Sequence, residues 1–167
     1  MRLFIASPVT LTDYASIRHA FGSAIRGKWV EERNAHLTWL FLGERDDIDA
    51  VKAHFARIAP VLHTPAPLAG LGTFGAPLRI LYARSDDARL EAQANAVADA
   101  GFTMERFTPH VTLCRIKAIG DPTAFKAAQH AFEETPLGEV QPRLVLYRSV
   151  LTPHGPRYTP LATLPTP

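Results

Sequence analysis

The order of periodic segments constrains this chain most, because the same order occurs twice. A strand, a helix, a histidine-bearing strand, a second helix and a further strand succeed one another from about residue 1 to 75. The order returns from about 78 to 151. In the first copy, residues 2–7 read as a strand, and 11–25 as an amphipathic helix with Tyr14, Ile17, Phe21 and Ile25 on one face. Residues 29–32 read as a short strand and 36–42 as a strong apolar one closed by Gly43. Asp46 and Asp47 offer capping chemistry to a helix carrying Ile48, Val51, Phe55 and Ile58, and 68–74 form a weaker, glycine-containing strand. In the second copy the strands are 78–83 and 110–116. Ser85-Asp86-Asp87 caps a helix that Gly101 ends, and Asp121-Pro122 opens another running to about Phe132. Two closing strands, 143–151 and 158–164, flank the turn Pro153-His154-Gly155-Pro156.

Alternation of strands and helices commonly builds a parallel, doubly wound sheet. No glycine-rich phosphate turn follows the first strand here, and the chain closes on a hairpin, so that architecture is disfavoured. With 47% hydrophobic residues and a net charge of +2, intrinsic disorder is excluded, as is a broad basic face for coating a nucleic acid. Most of the 14 prolines fall between periodic segments rather than in a linker. Cys114 is the only cysteine, which excludes a disulfide scaffold. No apolar run approaches the ~18 residues of a membrane span, and the opening is too short for a signal peptide. A cytoplasmic protein is the resulting expectation. Residues 164–167 read as a frayed tail.

The repeat carries chemistry in its histidine-bearing strands: His36-Leu37-Thr38-Trp39 and His110-Val111-Thr112-Leu113. Positions i and i+2 of a strand share a face, so each motif sets an imidazole and a hydroxyl about 6–7 Å apart. Leu37, Trp39 and Phe41, or Val111 and Leu113, then face the core. If the halves pack with pseudo-twofold symmetry, two imidazoles and two hydroxyls surround one tetrahedral anion. That set suits phosphodiester hydrolysis: one histidine takes a proton from water, the other gives one to the leaving oxygen, and the threonines hold the non-bridging oxygens. The spacing alone does not choose which histidine plays which part. A pair of polar strand-end features with no catalytic role is the competing reading.

The contexts Asn34-Ala35-His36-Leu37-Thr38-Trp39-Leu40-Phe41-Leu42-Gly43-Glu44 and Phe107-Thr108-Pro109-His110-Val111-Thr112-Leu113-Cys114-Arg115 resemble the two HxTx signatures of the 2H phosphoesterases. Within that superfamily the chain is most similar to the RNA 2′,3′-cyclic phosphodiesterases, first described as 2′-5′ RNA ligases. Arg2-Leu3-Phe4-Ile5-Ala6, Tyr147-Arg148-Ser149 and Arg157-Tyr158-Thr159-Pro160-Leu161 extend the likeness over nearly the whole chain. The resemblance implies an α+β, bilobal fold over residues 1–167, duplicated about a pseudo-twofold axis. An antiparallel sheet in each lobe forms a central cleft, with helices outside. It implies opening of RNA 2′,3′-cyclic phosphate ends to a 2′-phosphate, and ATP-independent 2′-5′ joining by related chemistry. By motif position His36 is the proton donor, His110 the proton acceptor, and Thr38 and Thr112 the phosphate-holding hydroxyls. No cofactor, metal or membrane is implied; the partners are RNA ends or nucleotides with a 2′,3′-cyclic phosphate, and the chain is expected to be monomeric.

Arg115 matches a basic residue that relatives carry after the second motif, near phosphate. Strict alternation from His110 instead puts it on the opposite face. Tyr158 is a candidate base or ribose contact, with a core position as its competitor. Ile5 stands where relatives often carry a second phenylalanine, which removes stacking by that residue. Ala35 and Thr108 also depart from the usual flanks and leave base preference open. His19, His54 and His130 are read as solvated, and His63 and His154 as loop residues, His154 near enough to the cleft to be a candidate substrate contact. Cys114 is read as a buried, inert thiol. The alternatives to an RNA-end enzyme are a 2H enzyme for another small cyclic phosphodiester and a non-catalytic nucleotide- or RNA-end-binding module.

Overall fold

The structure is a computed structural model that describes residues 1–165. Ten strands and four α-helices succeed one another in the order β1 (Arg2–Leu11), α1 (Tyr14–Phe21), β2 (Ile25–Trp29), β3 (His36–Glu44), α2 (Ile48–Phe55), β4 (Ala66–Ala69), β5 (Leu71–Phe74), β6 (Ile80–Ala83), α3 (Ala88–Asp99), β7 (Val111–Ile119), α4 (Pro122–Ala131), β8 (Pro136–Val140), β9 (Leu144–Thr152) and β10 (Gly155–Leu164). Every strand pairing is antiparallel. A six-stranded sheet has the order β10-β9-β1-β8-β4 with β3 paired to β1, and a four-stranded sheet has the order β2-β7-β6-β5. The architecture is therefore α+β with two antiparallel sheets.

The sheets do not partition at the midpoint of the sequence repeat. Strand β2, from the first half, is hydrogen-bonded to β7 in the smaller sheet, while β8, β9 and β10, from the second half, complete the larger one. The helices exchange in the same way. α1 and α4 meet through Phe21 and Phe125 (ring centroids 5.3 Å apart), and Phe21 also packs on Trp29 of the smaller sheet. α2 and the end of α3 meet where Arg57 donates to the carbonyl of Ala100 at 3.2 Å, and Gln93 of α3 ties down the segment after α2, accepting from Val61 N at 2.7 Å. One continuous apolar core, including Leu3, Ile5, Leu37, Leu68, Leu81, Leu113 and Leu146, joins the elements.

Several expected elements change at their edges for identifiable reasons. The first strand runs on through Pro8 to Leu11, because the chain there leaves β3 and β9 and pairs with β8. The first helix is correspondingly shorter, and Ile25 opens β2 instead of closing it. Residues 68–74 are two strands in different sheets, separated at Gly70, whose φ of 78° lies where only glycine is unstrained. Strand β8 was not expected, being five residues long and opened by a proline. At α2 Asp47 makes no capping bond; its carboxylate is taken by Arg45, whose guanidinium holds it below the usual carboxylate range. Asp87 and Asp121 do cap α3 and α4, accepting from Arg89 N and Ala124 N at 3.0 Å each. Of the residues read as a tail, Leu164 ends β10; Thr166 and Pro167 lie outside the described residues. No helix among the described residues is long and apolar enough to cross a membrane.

Candidate active site

Strand β3 carries the first motif and β7, with His110 immediately before it, the second; the two strands lie in different sheets, yet their Cα atoms come within 8 Å of one another. The space between them, across which the charge of His110 acts on His36, is the cleft of the candidate site. Leu37, Val111 and Leu113 are fully buried beneath it, while His36, Thr38, His110 and Thr112 are half-buried on the facing side. The alternation expected of each motif is thus present at its first four residues.

Each imidazole is oriented by the same local device. His36 Nδ1 lies 2.6 Å from the carbonyl of Asn34, and His110 Nδ1 lies 2.8 Å from the carbonyl of Thr108, in both cases two residues upstream. A carbonyl only accepts, so Nδ1 carries the proton and Nε2 is left free for a substrate. Two aromatic rings flank each histidine. Phe4 and Tyr158 each stand 5.3 Å from His36, Tyr158 edge-on at 86°. Phe74 and Tyr82 stand 5.1 and 5.7 Å from His110, at 87° and 72°. The sequence repeat therefore extends to the packing around the histidines.

After the threonine, both strands depart from alternation. Opposite β1, Thr38 pairs with Ala6 and Leu40 with Ile5, leaving Trp39 as an extra residue. Opposite β6, Thr112 pairs with Tyr82 and Cys114 with Leu81, leaving Leu113 extra. Such a bulge inverts the facing of every following side chain. Two expectations are corrected by it. Phe41, expected in the core, lies opposite Phe4 on the cleft face and is 67% exposed. Arg115, which strict alternation placed on the far face, lies opposite Ile80 on the same face as Thr112 and Tyr82, and it is exposed. Cys114 takes the core side, fully buried, with its thiol pushed up to about 11 by burial.

The charges on the two walls sense one another. Burial holds the His36 imidazole below its ordinary 6.5, and the charges of His110 and Arg115 across the cleft press it lower. Tyr158, half-buried in β10, is raised by burial and lowered by that same Arg115, so His36, His110, Arg115 and Tyr158 lie within electrostatic reach of one another. Lys28 lies opposite Arg115 in β2, exposed on the cleft face. Sequence reasoning missed it because nothing in the pattern of residues 25–29 assigns β2 to the sheet of β7. It also missed Phe74 and Tyr82, which alternation alone does not bring to His110. Ile5, where a stacking phenylalanine is absent, points into the core, and Phe4 floors the cleft instead. His54 packs edge-on against Phe102, and His130 faces Glu133 at 2.8 Å. His19 and His63 are exposed, and His154 is exposed in the β9–β10 turn. No cluster of His, Cys, Asp and Glu among the described residues could hold a metal ion.

Two antiparallel sheets that each present a His-x-Thr strand to a common cleft define the two-histidine phosphoesterase class. A family profile described as LigT like phosphoesterase matches residues 7–82. An RNA 2′,3′-cyclic phosphodiesterase of Archaeoglobus fulgidus is 30% identical over 96% of this chain and 98% of its own, and one of Thermotoga maritima is 30% identical over 95% and 91%. Among solved structures, a Thermus thermophilus protein superposes with a TM-score of 0.68 at 28% identity, covering 98% of this chain and 96% of its own. E. coli LigT complexed with 3′-AMP does so with a TM-score of 0.63 at 27% identity, covering 97% and 95%. The chain belongs to the LigT-like phosphoesterase family.

Proposed function

We propose that the chain hydrolyses 2′,3′-cyclic phosphodiester ends of RNA to 2′-phosphates by acid–base catalysis between His36 and His110. The observation that carries this is the matched pair of Nδ1 anchors, which leaves both Nε2 atoms for one substrate. His110 Nε2 takes a proton from water as the water oxygen attacks phosphorus. The P–O3′ bond breaks in line with the attack, and the 3′ oxygen takes its proton from His36 Nε2. The Thr38 and Thr112 hydroxyls donate to the non-bridging oxygens, with the Arg115 guanidinium supplying charge and Tyr158 bordering the ribose. An RNA 5′-hydroxyl entering in place of water gives a 2′-5′ linkage by the same bond exchange, without ATP. The names of the relatives and the 3′-AMP complex of LigT support an RNA-end substrate. The two lobes act as one domain in this reading. A monomer in the cytoplasm suits a chain whose one cysteine is a buried free thiol.

The test is hydrolysis of an RNA 2′,3′-cyclic phosphate end in excess EDTA, with the product phosphate located by NMR. Wild type is expected to give the 2′-phosphate, and His36→Ala and His110→Ala each to lose about 10²–10⁴-fold in kcat. Turnover that survives both substitutions, or tight product binding without turnover, would reject the mechanism.

A further inference from the structure

We propose that Lys28 holds the phosphodiester on the 5′ side of the terminal nucleotide, so that the site favours an RNA chain over a lone nucleoside; this rests on the activity proposed above. Lys28 and Arg115 are direct partners in the antiparallel β2–β7 ladder, and both are exposed on the cleft face. Partners in such register stand about 5 Å apart at Cβ, and like charges placed so repel one another. Among the described residues neither enters an ion pair. The reacting cyclic phosphodiester carries a single negative charge, which Arg115 and the protonated His36 already meet. Lys28 is a further cation, and the reacting group has no second charge to give it.

Its position suits the next phosphate of the chain. The leaving 3′ oxygen belongs to the ribose, so the nucleoside lies on the His36 side, where Tyr158 borders it. Strand β10 begins three residues before Tyr158, at Gly155, and the Lys28 ammonium reaches that point: a Cβ at Gly155 would stand 3.8 Å from Lys28 Nζ. Lys28 thus spans from the smaller sheet to the β9–β10 turn, about 10 Å along the strand from Tyr158. The other flank of His110 is already filled. Phe74 and Tyr82 pack there edge-on against its ring, and they are stacked on each other at 4.3 Å. A single strand leaving the site past Tyr158 therefore meets Lys28 first. Arg26, two residues away on β2 and also exposed, continues the row. Contacts of this kind fix a backbone without reading its sequence.

The experiment compares kcat/KM for adenosine 2′,3′-cyclic phosphate bearing a 5′ methyl phosphate diester with that for the same compound bearing a 5′ hydroxyl, over a range of NaCl concentrations. In wild type the ratio is expected to exceed one and to fall as salt rises, with a log–log slope of about −0.7 for the one added phosphate. Lys28→Met is expected to lower the ratio about three- to tenfold, carried by KM, and to remove its salt dependence. Lys28→Arg is expected to keep both. A wild-type ratio of one, a ratio that Lys28→Met leaves unchanged, or an equal loss on both substrates overturns the role of Lys28 while leaving the activity standing. A wild type that hydrolyses neither compound overturns the proposed activity itself, and the role of Lys28 with it.

Discussion

Phe41 and Arg115 occupy one position in two copies of one bulged strand. Each follows its motif histidine by five residues, and each is turned to the cleft by a single extra residue, Trp39 in β3 and Leu113 in β7. Without the bulges both side chains would lie beneath the sheets, Arg115 as a guanidinium driven into an apolar core at a cost of several kcal/mol. The duplication thus supplies a symmetric frame, and the divergence of this one position makes its walls unlike: aromatic over the larger sheet, cationic over the smaller.

The bulge at Leu113 is held by a side chain far from the cleft in sequence. The Tyr14 hydroxyl reaches the carbonyls of Val30 at 2.7 Å and Leu113 at 3.1 Å, and Val30 N donates to that same Leu113 carbonyl at 2.8 Å. Burial pushes the Tyr14 hydroxyl up to about 12, so it remains a donor at any working pH. Tyr14→Phe is expected to cost about 1–3 kcal/mol in urea denaturation. Its effect on kcat/KM is expected to run through Arg115. Arg115→Met alone should lower kcat/KM about 10–100-fold by removing a charge-assisted bond to phosphate, and Tyr14→Phe should add little in that background. Fully additive losses in the double variant would mean that Tyr14 supports the fold without aiming Arg115.

The donor role proposed for His36 links the pH dependence of the reaction to that of the fold. The histidine's folded-state pKa is lowered, mainly by burial, so the unfolded chain binds more protons below about 6.5. Stability from this group is therefore full above 6.5 and declines as pH falls through the window beneath it. Thermal melting of wild type should drop on acidification from pH 7 to 5, and His36→Gln should flatten that part of the dependence. In kcat/KM, a proton donor with a lowered pKa puts the alkaline limb below 6.5. Arg115→Met removes one of the smaller depressing charges and should move that limb upward; a limb that moves down would contradict the assignment of His36 as the donor.

The candidate site was legible at the level of residue types and the fold at the level of element order. The periodicities placed His36, Thr38, His110 and Thr112 correctly on one face each, because alternation holds over the first four residues of a strand. It failed at the fifth, since a bulge is a property of the partner strand: nothing in Thr38-Trp39-Leu40 shows that Ala6 and Ile5 will pair around Trp39. The exchange of β2 and β8 between the halves was hidden for a related reason. Short strands with glycine or proline, such as Ile25–Trp29 and Pro136–Val140, take their sheet from long-range pairing rather than from their own pattern.

Gly72 is the position where the backbone itself leaves room for the site. It pairs with Tyr82, whose ring lies across it, and a Cβ at 72 would overlap Tyr82 Cζ and stand 2.5 Å from the hydroxyl. The ring is confined on its other side by Phe74 and meets the edge of His110, so it has no easy direction in which to yield. Gly72→Ala is expected to cost about 1–3 kcal/mol by overpacking and to lower kcat by displacing His110. Gly120→Ala, whose new Cβ meets nothing nearer than 3.7 Å, should change neither. The decisive comparison uses a Tyr82→Ala background, in which the obstructing ring is gone. There Gly72→Ala should cost almost no further stability, whereas a cost that persists would locate the strain in the β5 backbone and not in the packing that frames His110.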